Sequence, residues 1–281
     1  MKKIFVTYGD EGYEAAKVKI SEEAKAAGVF DEVISYGKND LSLELLSSEV
    51  IKIKRGGGLW SWKPDVILST INKFHDGDIL VYCDAGCSVS SSKEWFFYFN
   101  KLKTYDIIAQ RLYQQTRKWT RKEIVDFFKE NGSRWLFQYQ YLATVIILKI
   151  SPFTKKLIQE WQMLMIEHPE LVMDVSPELL QEQLPKFIEN RHDQAVFSAI
   201  IYKYINNADT SNMIYTQWEH IEDLDPFSCQ AVRATRLRLG EKETVMSKIV
   251  KIVKRLIKDF VLKPFIYSPK QKGLRFFNGK I

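Results

Sequence analysis

The chain of 281 residues switches repeatedly between short continuous apolar runs and longer stretches with helical spacing. Residues 3–8 (KIFVTY), 32–36 (EVISY) and 79–82 (ILVY) read as strands, the last of them buried. Between them, residues 10–27 are rich in Ala, Glu and Lys and stop at Gly28. Residues 40–54 place Leu43, Leu46, Val50 and Ile53 at helical spacing, and residues 64–74 form a segment that Pro64 can open. The sequence His75-Asp76-Gly77-Asp78 then reads as a turn. An order of β-α-β-α-α-β within the first 90 residues predicts an α/β fold, a mixed, mostly parallel sheet with helices on its faces.

Downstream, residues 92–103 and 121–131 read as helices, the second closed by Gly132. Residues 106–109 and 141–148 read as strands, and residues 152–168 as an amphipathic helix. Residues 169–190 carry Pro169, Pro177 and Pro185 and read as irregular. Residues 193–204 form a further helix, for which Asn190 or Asp193 is a candidate cap. Residues 206–240 show no clear pattern. The most pronounced amphipathic segment is residues 246–262 (MSKIVKIVKRLIKDFVL), with Lys248, Lys251, Lys254, Arg255 and Lys258 opposite Ile249, Val253, Leu256 and Phe260. The expected organisation is one domain over residues 1–240 and a basic helical appendage over residues 241–281.

Composition sharpens this picture in three ways. A 46% hydrophobic and 13% aromatic content suits a globular core and excludes a disordered chain. The net charge of +6 belongs to the tail: residues 242–281 hold 11 Lys/Arg against 2 Asp/Glu, leaving 30 basic and 33 acidic groups upstream. A general nucleic-acid surface is therefore not expected, whereas the basic helix suits an anionic membrane surface or, equally, a solvated face. Cys83, Cys87 and Cys229 have no disulfide or zinc spacing and read as free thiols. The N-terminus reads as a first strand rather than a signal peptide. No run approaches the ~20 apolar residues that span a bilayer. The expected location is cytoplasmic, peripheral on the inner face of the plasma membrane if the tail engages it.

Chemistry concentrates in two places. The first is Arg55-Gly56-Gly57-Gly58-Leu59-Trp60-Ser61-Trp62-Lys63-Pro64, followed after one helix by a strand that ends in Cys83-Asp84-Ala85-Gly86. A carboxylate delivered at the carboxyl end of a buried strand, with small neighbours, is how an open α/β sheet meets a ligand. The glycines allow backbone N–H groups to turn toward an anion, Arg55 and Lys63 add charge, and Trp60 and Trp62 offer stacking faces or a buried turn. No GK[ST] follows, so this is not an ATP-cleaving loop. The second place is Glu189-Asn190-Arg191-His192-Asp193-Gln194, at a helix start. One cap does not need so many polar groups, and His192, Asp193 and Gln194 suit contact with sugar hydroxyls near a developing cation. The other histidines, His75, His168 and His220, carry no metal spacing.

RGGGLWSWKP with GDILVYCDAG resembles the sugar-nucleotide half of bacterial polysaccharide and lipopolysaccharide glycosyltransferases with the GT-A (Rossmann-like) fold. RHDQAVFS resembles the Asp-Gln helix start of retaining members related to glycogenin and the lipopolysaccharide galactosyltransferases. The resemblance implies transfer of a hexose from a nucleotide diphosphate sugar, UDP-linked by preference, to a glycan or lipid-linked glycan acceptor in surface polysaccharide synthesis. It implies that Thr7, Tyr8, Arg55, Trp60, Lys63, Asp84, Ala85 and Gly86 surround the nucleotide sugar. Asp193, Gln194 and His192 would lie at the reacting carbon, with Gln138 and Gln140 as lesser acceptor or sugar contacts. It implies a divalent cation, Mn2+ or Mg2+, held by Asp84 as the first acid of an Asp-x-Asp motif. Here the third position is Gly86. Either another residue supplies the second carboxylate, or the metal is held loosely, or Arg and Lys neutralise the diphosphate. Two rival readings are a nucleotidyl- or phosphotransferase using the same sheet edge, and a non-enzymatic membrane-surface adaptor built on the tail.

Overall fold

The computed structural model describes residues 1–221 and 230–234. Nine strands are described: β1 (Lys3–Tyr8), β2 (Glu32–Tyr36), β3 (Ile79–Cys83), β4 (Cys87–Val89), β5 (Ile107–Gln115), β6 (Tyr139–Tyr141), β7 (Val145–Lys149), β8 (Ile214–Trp218) and β9 (Val232–Ala234). The principal helices are α1 (Glu14–Ala26), α2 (Leu43–Ser47), α3 (Trp62–Ile71), α4 (Glu94–Lys101), α5 (Lys122–Phe127), α6 (Pro152–Glu167) and α7 (His192–Asn206). The main sheet has 7 strands in the order β2-β1-β3-β7-β5-β6, with β8 also on β5. β7 runs antiparallel to both β3 and β5, and β6 antiparallel to β5, while the other pairings are parallel. All strands but β6 and β7 thus point the same way, the mixed, mostly parallel α/β sheet expected from the sequence. β4 and β9 form a separate antiparallel pair.

Period-2 alternation splits the core into two layers. Ile4, Val6, Tyr8, Leu80, Tyr82, Ile146, Leu148, Ile107 and Ala109 face one way and pack under α3, α6 and α7. Phe5, Ile79, Val81, Cys83, Val145, Ile147 and Ile108 face the other way, with Ile20 and Ala24 of α1 and Trp95, Tyr98 and Phe99 of α4. Helix α3 is buried along almost its whole length. Its position is set by Asp65, whose carboxylate accepts hydrogen bonds from Ser42 N (3.0 Å), the Ser42 hydroxyl and Gln162 Nε2 of α6 (2.6 Å).

Several elements differ from the sequence expectation. Residues 40–54 are not one helix: α2 lasts five residues, and Val50–Lys52 forms a separate turn. The serines account for the break, because Ser42 caps Leu45 N while Ser47 and Ser48 turn their hydroxyls onto the carbonyls of Leu43, Glu44 and Leu45. β5 is longer than expected and reaches Gln115. Residues 141–148 are divided between β6 and β7. β4, β8 and β9 were not anticipated, since each is completed by a distant partner strand. The basic segment 246–262 and Cys229 lie outside the described residues. Cys83 and Cys87 are both buried, and Cys83 is a free thiol. Among the described residues no helix is long and apolar enough to cross a membrane.

The connection into α3 is unusual. Gly56, Gly57, Gly58, Leu59 and Trp60 all have φ between 53° and 96°. Leu59 N donates to Arg55 O (2.8 Å) and Trp60 N to Gly56 O (3.2 Å), so the chain winds one left-handed helical turn. Glycine adopts this conformation without penalty, whereas Leu59 and Trp60 are each disfavoured by roughly 1–2 kcal/mol. The turn places Trp60 over Gly56, where a Cβ would lie 2.7 Å from the indole ring, and brings Gly58 against the Ile51 backbone. Gly58→Ala sets a Cβ 2.9 Å from Ile51 Cα at φ +96 and is predicted to lower stability by about 1–3 kcal/mol in urea unfolding. Gly86→Ala, whose Cβ meets nothing within 4 Å among the described residues, should stay within about 0.5 kcal/mol of the parent.

Candidate functional site

Three elements far apart in sequence deliver charge to one point at the carboxyl edge of the sheet. β3 ends at Cys83 and hands on Asp84, whose N–H donates to Thr144 O and whose carbonyl accepts from Cys87 N, both at 3.0 Å. The left-handed turn ends in α3, whose second residue is Lys63. An irregular stretch ends in α7, whose second residue is Asp193. Lys63 Nζ lies 2.7 Å from Asp193 Oδ2 and 3.3 Å from Asp84 Oδ1. The Tyr82 hydroxyl donates to the same Asp84 oxygen at 2.7 Å. Lys63 is only 3% exposed, while 28% of the Asp84 side chain remains open.

The charges hold one another in place. Burial alone would pull the Lys63 pKa down, but the charges of Asp193 and then Asp84 outweigh it and keep the value above the ordinary 10.5. Burial raises Asp84 above the usual 3.8 against the pull of Lys63 and the Tyr82 hydrogen bond. Tyr82 is pushed well above 10 by burial and the charge of Asp84, so its hydroxyl stays a neutral donor. Tyr8 closes the floor, stacked on Trp62 with ring centroids 4.3 Å apart, and burial lifts its hydroxyl to about 12.

Beside this triad, Arg55 donates to Asp174 Oδ2 at 2.8 Å, and His192 Nε2 donates to Asp174 Oδ1 at 3.1 Å. Trp60 leans over the His192 ring with a centroid separation of 4.9 Å. His192 has φ 50, a left-handed conformation held by the packing of Trp60 and the Asp174 bond. Burial lowers its pKa below 6.5 even though the Asp174 hydrogen bond opposes this, so the ring is neutral at pH 7. Gln194 donates from Nε2 to Gln140 Oε1 (2.8 Å) and Gln114 Oε1 (3.1 Å).

The residues singled out by sequence are therefore largely neighbours. Lys63, Asp84 and Asp193 touch directly, and Arg55, Trp60 and His192 form an adjoining group. Ala85 is buried and Gly86 half-buried in the turn after Asp84. Thr7 is buried on the sheet face opposite Tyr8, and its hydroxyl has no hydrogen-bond partner among the described residues. Gln138 is exposed, whereas Gln140 is fully buried beneath Gln194 and is not open to a ligand. Two expectations change. The glycine loop is not an open anion cradle, because the N–H groups of residues 57–61 are all bonded to carbonyls of residues 53–58. Neither Asn190 nor Asp193 caps α7: Asn190 Nδ2 donates to the carbonyls of Leu171 and Met173, and the Asp193 carboxylate goes to Lys63. Sequence reasoning missed Asp174, Gln114 and Tyr82. Asp174 lies in a stretch with no periodicity, Gln114 lies beyond the strand expected over residues 106–109, and Tyr82 reads as an ordinary strand residue.

The described residues do not fit a divalent cation. Asp84 Oδ1 is taken by an ammonium and a phenol, and Gly86 has no side chain to add a carboxylate. His220 is paired with Glu94. No group of three His, Cys, Asp or Glu side chains able to hold a metal ion occurs among the described residues.

No protein-family model matches the chain, and no curated protein sequence matches it. Among solved structures the chain is similar to a glycosyltransferase involved in glycosylation of the major capsid of PBCV-1. That match has 8% identity, covers 78% of this chain and 82% of that one, and has a TM-score of 0.42. It is also similar to the galactosyltransferase LgtC in complex with donor and acceptor sugar analogues, at 13% identity, 76% and 73% coverage and a TM-score of 0.40. Mouse xyloside xylosyltransferase 1 matches at 11% identity, 77% and 85% coverage and a TM-score of 0.40. Likenesses of this size assign no residue and no chemistry to this chain.

Removing Lys63 leaves two carboxylates facing each other without a counter-ion, so Lys63→Met is predicted to cost about 3–5 kcal/mol of stability in denaturant unfolding. A second expectation concerns pH. His192 is harder to protonate folded than unfolded, so its contribution to stability is complete above 6.5 and is lost as pH falls through its lowered folded value. In thermal melts between about pH 7 and pH 5, His192→Asn should show a shallower acid-side fall than the parent.

Proposed function

We propose that the protein is a glycosyltransferase that moves a hexose from a nucleotide diphosphate sugar, UDP-linked by preference, to a glycan or lipid-linked glycan acceptor. The observation that carries this reading is the triad at the sheet edge: two carboxylates from a strand end and a helix start, clamped by one buried ammonium, with the Gln194 amide alongside. Its formal charge is one short of neutral on the acidic side. Such a point suits neutral hydroxyl groups, which carboxylates and amides orient, better than a bare phosphate. This favours the sugar end of the donor over the phosphoryl-transfer alternative. The membrane-adaptor alternative rests on residues 246–262, which lie outside the described residues.

In this reading Asp84 and Asp193 accept hydrogen bonds from donor hydroxyls, and the stacked Tyr8–Trp62 pair forms the apolar floor. Asp193 has one oxygen committed to Lys63 at 2.7 Å, which makes it an orienting group rather than a free base. That supports retention: the anomeric C–O bond to phosphate breaks, the acceptor oxygen bonds the same carbon, and the acceptor proton passes to the departing phosphate oxygen. Positioning and electrostatics supply the catalysis. No step is routed through a metal, for which the described residues provide a single partly open carboxylate.

The test is a thermal-shift screen against UDP, GDP, CMP and ADP, followed by release of nucleotide from the matching sugar donor. One nucleotide should stabilise the protein, equally in EDTA and in Mn2+. Asp84→Asn and Asp193→Ala should each lower turnover by at least about 100-fold while keeping a cooperative melt. No stabilisation by any of the four, or full turnover in both variants, would remove this reading. Cleavage between the phosphates instead of at the sugar carbon would favour the phosphotransferase.

A further inference from the structure

A glutamine amide has almost the same shape with its oxygen and nitrogen exchanged, so its neighbours decide which end faces a ligand. Around Gln194 those neighbours leave no choice, and the decision begins at a backbone carbonyl. Gln140 is fully buried on β6. One end of its amide lies 2.8 Å from Trp119 O and 2.9 Å from Thr120 Oγ1. A carbonyl oxygen only accepts, so that end is Nε2, and the Gln140 oxygen must face Gln194. Gln194 then has to present Nε2 to it at 2.8 Å, and the same nitrogen reaches Gln114 Oε1 at 3.1 Å. Both N–H groups of Gln194 are used. What its side chain retains for a ligand is a carbonyl oxygen.

We infer that Gln140 is a positioning residue which, through its hydrogen bond from Gln194, holds the Gln194 amide with its carbonyl oxygen directed at the ligand. This rests on the glycosyltransferase reading, in which Gln194 lies beside the donor sugar. A carbonyl oxygen there accepts from a sugar hydroxyl and sets the negative end of a dipole near a carbon that becomes cationic as its bond to phosphate breaks. The reversed amide would set positive N–H groups at the same place and oppose that charge. Gln140 touches no reacting atom in this account. It acts by fixing the polarity of a group that does.

Two variants separate this from ordinary packing. Gln140→Leu fills the space but offers Gln194 no acceptor. Gln140→Glu offers an acceptor, and it restores the donor to Trp119 O only while the introduced carboxyl is protonated. The probes are UDP-glucose, UDP-galactose and GDP-mannose, with nucleotide release as the readout, alongside side-chain amide exchange by NMR on protein labelled with 15N-glutamine. The Gln194 signal is identified by its loss in Gln194→Met. In Gln140→Leu the kcat should fall at least about tenfold with donor KM within about twofold, and the Gln194 amide protons should exchange at least about tenfold faster. Gln140→Glu, which still offers Gln194 an acceptor whether or not its carboxyl is ionised, should hold the Gln194 amide exchange near the parent's and recover most of the kcat lost in Gln140→Leu. A folded Gln140→Leu with parental kcat, or one that changes KM alone, overturns the inference, as does unchanged Gln194 exchange. If Gln140→Leu does not fold, Gln140→Met takes its place, and parental kcat with unchanged Gln194 exchange in that variant overturns the inference. If the parent releases nucleotide from none of the three donors, the transferase reading fails, while the exchange measurement still decides whether Gln140 sets the amide.

Discussion

The Lys63 ammonium is the constraint on which the arrangement depends. It joins the carboxyl end of β3 to the first turn of α7, two elements with no covalent reason to meet, and it does so with almost no access to water. A buried cation between two carboxylates is stabilising only while all three are present, because each desolvated charge relies on the others. The geometry is therefore close to all-or-none. It also defines what is left over: one partly open carboxylate, Asp84, and one carboxylate, Asp193, with a single uncommitted oxygen.

Holding Lys63 there requires the chain to do something locally unfavourable. Helix α3 is fixed from behind by Asp65, which ties it to residue 42 and to α6. The chain enters it from residue 55 through the left-handed turn, and this includes two residues, Leu59 and Trp60, that gain nothing from that conformation on their own. The same region contains the left-handed His192. Strain of this kind persists where surrounding contacts over-determine it. Here Trp60 lies over His192, and Asp174 bonds both Arg55 and His192. The two strained segments brace each other across the site, so neither relaxes without disturbing the other.

The sequence made legible those parts whose signal is local. Strand β3 is a continuous apolar run, β1 and β2 are short segments rich in β-branched and aromatic residues, and α6 and α7 have clear helical periodicity, so the α/β order and the sheet-end position of Asp84 could be read directly. So could the unusual polarity of the 189–194 stretch, which exceeded the needs of a helix cap. What could not be read is pairing at a distance. Nothing in β8 or β9 marks them as strands until β5 and β4 lie beside them. Residues 40–54 have helical spacing, and only the competition of Ser47 and Ser48 for carbonyls breaks the helix. The glycine loop was legible as special but not in its handedness: three glycines permit an open anion cradle and a left-handed turn equally. The choice between them depends on Ile53, Arg55 and Gly56 supplying the acceptors.

The departure from an Asp-x-Asp pattern at Gly86 acquires meaning from the same geometry. A second carboxylate at that position would add negative charge to a cluster in which one ammonium already serves two acids. A cluster with two acids and one cation is near its electrostatic limit without a further cation, whereas three acids would require one. Gly86 is thus consistent with Lys63 being the resident cation. If a donor diphosphate binds as proposed, its charge has to be balanced by groups other than Lys63, since that ammonium is committed to Asp84 and Asp193.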